Sequence, residues 1–149
     1  MELIVYGVYT FLAAYTAGNM TTLQLQHYNL YPFVAKENFE VYIGANNKAA
    51  LLPSVIPGTL MLVLSVVLVF YRPGFMTTNW AIVSLLLNVT AFISTFTWQR
   101  KLQGEMALTG YDEAKVKLLL STNWIRTFAF IILGILAISL LLSAVCHAF

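Results

Sequence analysis

The sequence predicts an all-α integral membrane protein, a four-helix bundle with a kinked long second helix and a short interfacial helix before the fourth span. Three observations predict it. Of the 149 residues, 60% are hydrophobic and only 9% charged, against roughly 25% charged in a soluble domain. The apolar residues gather into four runs of roughly 20, the length that crosses ~30 Å of hydrocarbon. The amide and charged residues collect at the ends of those runs, where hydrocarbon meets water. Spans at 3–25, 49–71, 79–98 and 124–147 use nearly the whole chain, so residues 1–149 form a single transmembrane domain.

The first span carries Tyr6, Tyr9 and Tyr15 and the small residues Ala13, Ala14, Ala17 and Gly18. The pairs Ala13/Ala17 and Ala14/Gly18 repeat every four positions and form a stripe suited to close helix packing, within the bundle or between copies in a homo-oligomer. Glu2 makes the N-terminus acidic, so the first segment is expected to remain in place rather than act as a cleaved signal. The span ends in Gln24, Gln26 and His27, followed by Tyr31-Pro32-Phe33, where Pro32 is suited to the first turn of a helix.

From Phe33 to Ala50 the pattern is amphipathic, with Lys36, Glu37, Glu40, Asn46, Asn47 and Lys48 among apolar residues, and it runs on into the second span. One element over residues 33–71 would be ~58 Å long, so its first half must leave the hydrocarbon. Pro53 and Pro57 remove backbone donors and bend it, which leaves carbonyls in need of partners and room for a cavity. Tyr71-Arg72-Pro73-Gly74-Phe75 is a turn. In the third span Trp80 and Trp98 stand about 27 Å apart as anchors at the two boundaries, and Asn88 near its middle should face inward. Asp112 is placed to cap a short helix that rests on the membrane or feeds into the last span, with Glu113 and Lys117 as an i,i+4 pair.

The composition also excludes classes of function. A formal charge of +2, with the cations at span boundaries, offers no basic face for nucleic acid. The single Cys146 cannot form an internal disulfide. The two histidines, His27 and His147, fall at opposite ends of the predicted topology, so no paired-histidine metal or haem site is expected, and no cofactor is implied. Lys36, Lys48, Arg100, Lys101, Lys115, Lys117 and Arg126 flank one face and only Arg72 the other. The positive-inside rule then places the 28–48 and 99–123 loops in the cytoplasm and both termini outside the cell membrane.

That orientation brings Tyr31, Trp98, Gln99, Asn123 and Arg126 to one leaflet as a candidate ligand-binding set. His27 is the candidate general base, and Glu37, Glu40, Pro53, Pro57 and Trp124 are structural supports. Arg126, one turn into the fourth span, should pair with Glu37 or Glu40. The segments Ala17-Gly18, Gln24, Tyr31-Pro32-Phe33, Phe39, Tyr42, Pro53, Pro57, Leu102, Gly110-Tyr111-Asp112 and above all Thr122-Asn123-Trp124-Ile125-Arg126-Thr127 resemble a family of small four-span membrane proteins related to the anthrone-oxygenase-like proteins. The resemblance implies a four-helix membrane fold and, in the better-known relatives, cofactor-free oxygenation of polycyclic phenols. Relatives carry a histidine near the end of the third span, where this chain has Gln99-Arg100. Two functions follow: the residues point to a protein that binds a small amphipathic or aromatic ligand at the inner leaflet in a binding or accessory role, and the resemblance implies instead a cofactor-free oxygenase-like enzyme acting on a polycyclic phenolic substrate. In the enzyme, Arg126 and Asn123 would hold an oxyanion and Tyr31 or Trp98 would stack on the substrate.

Overall fold

The computed structural model describes residues 2–146, which are almost entirely helical. Helix α1 (Glu2–Thr22) passes into a wide π turn, Leu23–His27, and two short 3₁₀ turns. Helix α2 (Phe39–Ala49) follows, then a second π turn at Leu51–Val55 and helix α3 (Ile56–Phe70). Helix α4 (Thr78–Ser94) runs through a third π turn, Thr95–Gln99, into α5 (Arg100–Thr109). Helix α6 (Glu113–Cys146) closes the described chain. His147 lies outside the described residues.

Three stretches, Leu51–Phe70, Thr78–Thr109 and Glu113–Cys146, are long and apolar enough to cross a membrane. The last two have 32 and 34 residues, about 48 and 51 Å, so each outruns a ~30 Å hydrocarbon core. Their surplus forms a second layer. The lower layer, the bundle, is α1, α3, α4 and the C-terminal part of α6, around Tyr6, Tyr9, Ala13, Met61, Leu68, Ala91 and Leu133. The upper layer, the cap, is the segment after α1, α2, α5 and the first turns of α6, around Tyr28, Tyr31, Phe39, Ile43, Leu102, Met106, Val116 and Leu119.

The small-residue stripe of α1 meets α6 inside the bundle. A Cβ on Gly134 would lie 3.4 Å from Ala17 Cβ and 3.6 Å from the Ala13 carbonyl oxygen. Tyr6 Oη donates to the Ala137 carbonyl at 3.2 Å, and at the other end Gln24 Nε2 donates to the Leu120 carbonyl at 3.2 Å, so the two helices run antiparallel. Ala14 and Gly18 face outward. Asn88 is fully buried and donates to the Ser84 carbonyl at 3.0 Å and to Tyr9 Oη at 3.5 Å, an inward amide shared with α1.

Four expectations are corrected in detail. The second element is not one bent helix over residues 33–71: it starts at Phe39 and is broken at Leu51–Val55. Pro57 lacks the N–H that would reach back to the Pro53 carbonyl, and that oxygen instead accepts from Tyr15 Oη and from Asn19 Nδ2, both at 3.0 Å. Pro32 sits within the 3₁₀ turn Tyr28–Phe33 and starts no α-helix, because Val34 is extended. The 99–123 loop is helical apart from its tip, since Leu102 and Met106 on α5 bury against the cap core and extend the third span. Gly110, with φ +81°, ends α5, and its N–H reaches the Met106 carbonyl at 3.1 Å.

Of the two placements expected for the helix capped by Asp112, the structure takes the second: it is no separate interfacial helix but feeds directly into the last long helix, Glu113 to Cys146 being one element. Val116 and Leu119 in its first turns are buried in the cap and leave no reason for a break. Asp112 caps it, accepting from the N–H groups of Ala114 and Lys115 at 2.9 and 3.2 Å. Glu113 pairs with Lys117 at 2.7 Å, and Lys115 reaches Glu105 of α5 at 3.1 Å.

Candidate ligand cavity

The three π turns surround a single space. A cavity of about 330 Å³ is lined by Leu23 and His27 of the first, Leu51, Ser54 and Val55 of the second, and Thr95, Phe96 and Gln99 of the third. A π turn widens the helix by one residue and re-aims its side chains, a device found often at functional sites. Helix α6 supplies Arg126 and Phe130, α2 Asn46 and Asn47, and α5 Gln103. The lining combines polar side chains, His27, Tyr28, Asn46, Gln99, Gln103 and Arg126, with apolar ones, Met20, Leu51, Val55, Phe92 and Phe130. Leu51, Val55 and Phe96 are also exposed on the outer surface, so they form the rim.

Most of the polar groups on and behind the lining are joined in one hydrogen-bonded chain, and Gln99 in a second, shorter one. Asn123 Nδ2 donates to Gln24 Oε1 at 2.6 Å and to Thr127 Oγ1 at 3.3 Å, and Asn123 Oδ1 accepts from Arg126 Nε. Arg126 Nη2 donates to Tyr28 Oη at 2.6 Å. Gln103 Nε2 reaches Tyr28 Oη and Tyr31 Oη at 3.4 and 3.5 Å, and Asn46 Nδ2 reaches Tyr31 Oη at 3.3 Å. Gln99 accepts from Ser94 Oγ at 3.3 Å and donates to Thr122 Oγ1 at 3.4 Å, tying the third π turn to α6. Chains of this kind hold their members in fixed orientations.

His27 sits among three phenols, with its ring 5.6, 5.4 and 6.5 Å from those of Tyr28, Tyr31 and Tyr42. Its Nε2 is buried and has no hydrogen-bond partner. Burial pushes the His27 pKa below its ordinary value, with neighbouring Asn46 opposing the shift, so the ring is neutral at pH 7. Burial also pushes the Tyr31 and Tyr42 phenols up, and both stay protonated.

The structure brings together part of the set singled out from sequence. Gln99 and Arg126 line the cavity, as does His27. Tyr31 and Asn123 are fully buried just behind the wall and act on it through hydrogen bonds. Trp98 packs against the cap core, and Trp124 is exposed and stacked on Phe128 at 5.0 Å. Glu37 and Glu40 are exposed, and Arg126 is held by Tyr28 and Asn123 in their place. Glu40 lies beside the Gly110 turn, its Oε1 3.5 Å from where a Cβ on that glycine would stand.

Tyr28, Gln103 and Gln24 are the network members that sequence reasoning missed. Gln103 stands four residues after Gln99, one turn apart on a continuous helix, so its place in the same lining follows once residues 99–109 are known to be helical. Among the described residues no three of His, Cys, Asp and Glu come together as a metal site would require. No protein-family model, curated protein or solved structure matches this chain.

Proposed function

We propose that the chain is a multi-pass membrane protein whose cavity binds a small amphipathic or aromatic molecule drawn from the bilayer, in a binding or accessory role. The observation that carries this reading is the cavity of about 330 Å³ with a lining of both polar and apolar side chains, within the ~300–1,000 Å³ typical of small-molecule sites. The membrane reading is supported by the outward faces of the bundle, where Ile4 and Phe11 are 72% and 68% exposed, with Leu60, Val63, Leu86, Ile135 and Leu142 similarly bare. Helix α1 is 21 residues long, about 31 Å, and serves as the fourth span. With the bundle in hydrocarbon, the rim residues Leu51, Val55 and Phe96 face lipid, and the cavity opens sideways into the leaflet on its cap side.

The charge distribution puts the cap in the cytoplasm and both termini outside. Single cysteines at Gly110 and Gly74, in a Cys146→Ser background, should then label from opposite sides of the membrane. Labelling of both from outside would overturn the orientation.

Ligand binding is tested by native mass spectrometry of the purified protein with Gly58→Leu as control. Gly58 is buried in α3 and lines the cavity, and a Cβ there meets nothing within 4 Å, so leucine grows into the space. A co-purified small molecule present in the wild type and lost in Gly58→Leu, at unchanged or higher Tm, is the expected result. Equal ligand content in the two proteins sinks the reading.

One observation favours the second reading, a cofactor-free oxygenase acting on a polycyclic phenol: the neutral His27 with a free Nε2 at the cavity wall. His27 would accept the phenol proton and Arg126 would hold the phenolate, with Asn123 positioning Arg126 rather than touching substrate. The likeness of Asn123-Trp124-Ile125-Arg126-Thr127 to the anthrone-oxygenase-like proteins points the same way. Oxygen uptake with an anthrone, present in wild type and absent in His27→Gln, is the measurement that supports it; no uptake by the wild type removes it.

A further inference from the structure

Arg126 is 7% exposed, yet its charge has no acidic partner. No ion pair among the described residues includes it, and the two acceptors it does have are an amide oxygen, Asn123 Oδ1, and a phenol oxygen, Tyr28 Oη. A guanidinium carries five N–H donors, and among the described residues those of Nη1 have no acceptor. None of the six acidic residues of the chain lines the cavity, whereas Arg126, Arg100 and His27 do. Tyr28 Oη accepts from both Arg126 and Gln103, which leaves its own proton free to point into the space. Buried His27 Nε2 adds a further unpartnered group in the same lining.

An enclosed cation with no acidic partner is costly, and the cost is relieved when an opposite charge arrives. Resting on the cavity reading above, we infer that the ligand is an anionic amphiphile, an oxyanion head on an apolar body. The head accepts from Arg126 Nη1 and the Tyr28 hydroxyl, with His27 in its Nε2–H tautomer as third donor. The body lies against Phe92, Phe130, Leu51 and Val55. Arg100, exposed and stacked over Phe96 with its guanidinium 5.6 Å from the ring centre, lies at the rim and draws an anion towards the opening. Arginine suits the role because its planar fork holds an amide oxygen and an oxyanion at once in a fixed geometry, which the flexible point charge of a lysine lacks.

The test uses the full chain purified in dodecyl maltoside, with two acids and their uncharged counterparts as probes: laurate against lauramide for a lipid source, and 2-naphthoate against 2-naphthamide for an aromatic one. Binding is read by thermal shift and isothermal titration. At least one acid should bind about tenfold tighter than its amide, the worth of one charge-assisted hydrogen bond. That preference should fall to near parity in Arg126→Gln and survive in part in Arg126→Lys. Should Arg126→Gln fail to fold, the acid–amide ratio in the wild type decides alone. An amide that binds as tightly as its acid overturns the anion inference and leaves the cavity reading standing. Failure of all four probes, together with no co-purified molecule, brings both down. An acid preference that persists undiminished in Arg126→Gln removes Arg126 as the counter-ion and overturns the assignment.

Discussion

The bundle and the cap bury similar kinds of residue but hold together by different means. In the bundle the contacts are close and dry: Gly134 against Ala13 and Ala17, with Ala81, Ala91, Ala129 and Ala137 elsewhere in the core. In the cap the contacts are ring on ring. Tyr31 meets Tyr28, Phe39 and Tyr42 edge to face at 5.4, 5.7 and 5.9 Å, and Phe39 meets Tyr111 at 5.2 Å. The bundle's buried polar side chains, such as Thr10 and Asn88, bond chiefly to carbonyls of their own helices. The cap is broken by turns and flanked by the cavity, and there Gln24, Asn123, Arg126, Tyr28 and Gln103 form a continuous chain of bonds. Close approach of backbones joins the first region, and oriented polar bonds join the second.

This contrast can be broken by substitution, starting in the cap. Asn123→Leu removes the acceptor of Arg126 and the partner of Gln24 at once, leaving a buried cation short of a bond. It should cost about 3 kcal/mol, read by denaturant titration in detergent. In the bundle, Gly134→Leu should cost about 2 kcal/mol by overpacking against Ala13 and Ala17. The matching amide removal there, Asn88→Leu, should cost only about 0.6 kcal/mol, as for ordinary polar contacts between membrane helices. If Asn88→Leu proves as damaging as Asn123→Leu, the distinction between the two regions fails.

The smallest effect is one of pH. The folded cap holds His27 neutral below its usual pKa, so the unfolded chain takes up the proton first as pH falls. Stability is therefore full above about pH 6.5, the ordinary histidine value, and declines below it until His27 protonates in the folded state. The groups facing His27 are the rings of Tyr28, Tyr31 and Tyr42, with Arg126 lining the same cavity; burial pushes the Tyr31 and Tyr42 phenols up, so those two do not titrate in this range. His27→Gln should flatten the slope between pH 5 and pH 6.5 in a series of melting curves, and an unchanged slope would assign the decline to other groups.

The sequence was most legible where a residue type has one physical meaning. Composition and run length announce long apolar helices, Asp112 announces a cap, and Ala13 and Ala17 announce a close contact, each of which is found. Pro53 and Pro57 announced a disruption but not its extent, because a proline says which donor is missing and not how far the chain swings. The polarity of the 99–109 segment suggests a loop, whereas Leu102 and Met106 bury one face of a helix against residues from α2. A buried arginine suggests a charged partner. Tyr28 and Asn123 became visible only once folding brought the end of α1 against α6.

Three of the long helices pass the cavity through a π turn, and α6 passes it without one. Each such turn acts like a one-residue insertion, and removing it would turn everything beyond it by about 100° about the helix axis. Deletion of one residue from Thr95–Gln99 would swing Leu102 and Met106 out of the cap core while leaving the bundle below undisturbed. The two layers are thus locked in rotation by single residues, with α6 as the fixed spindle. A lineage could re-aim the cavity lining in one step, by gaining or losing one codon, where substitution alone would need to rebuild every contact of the cap.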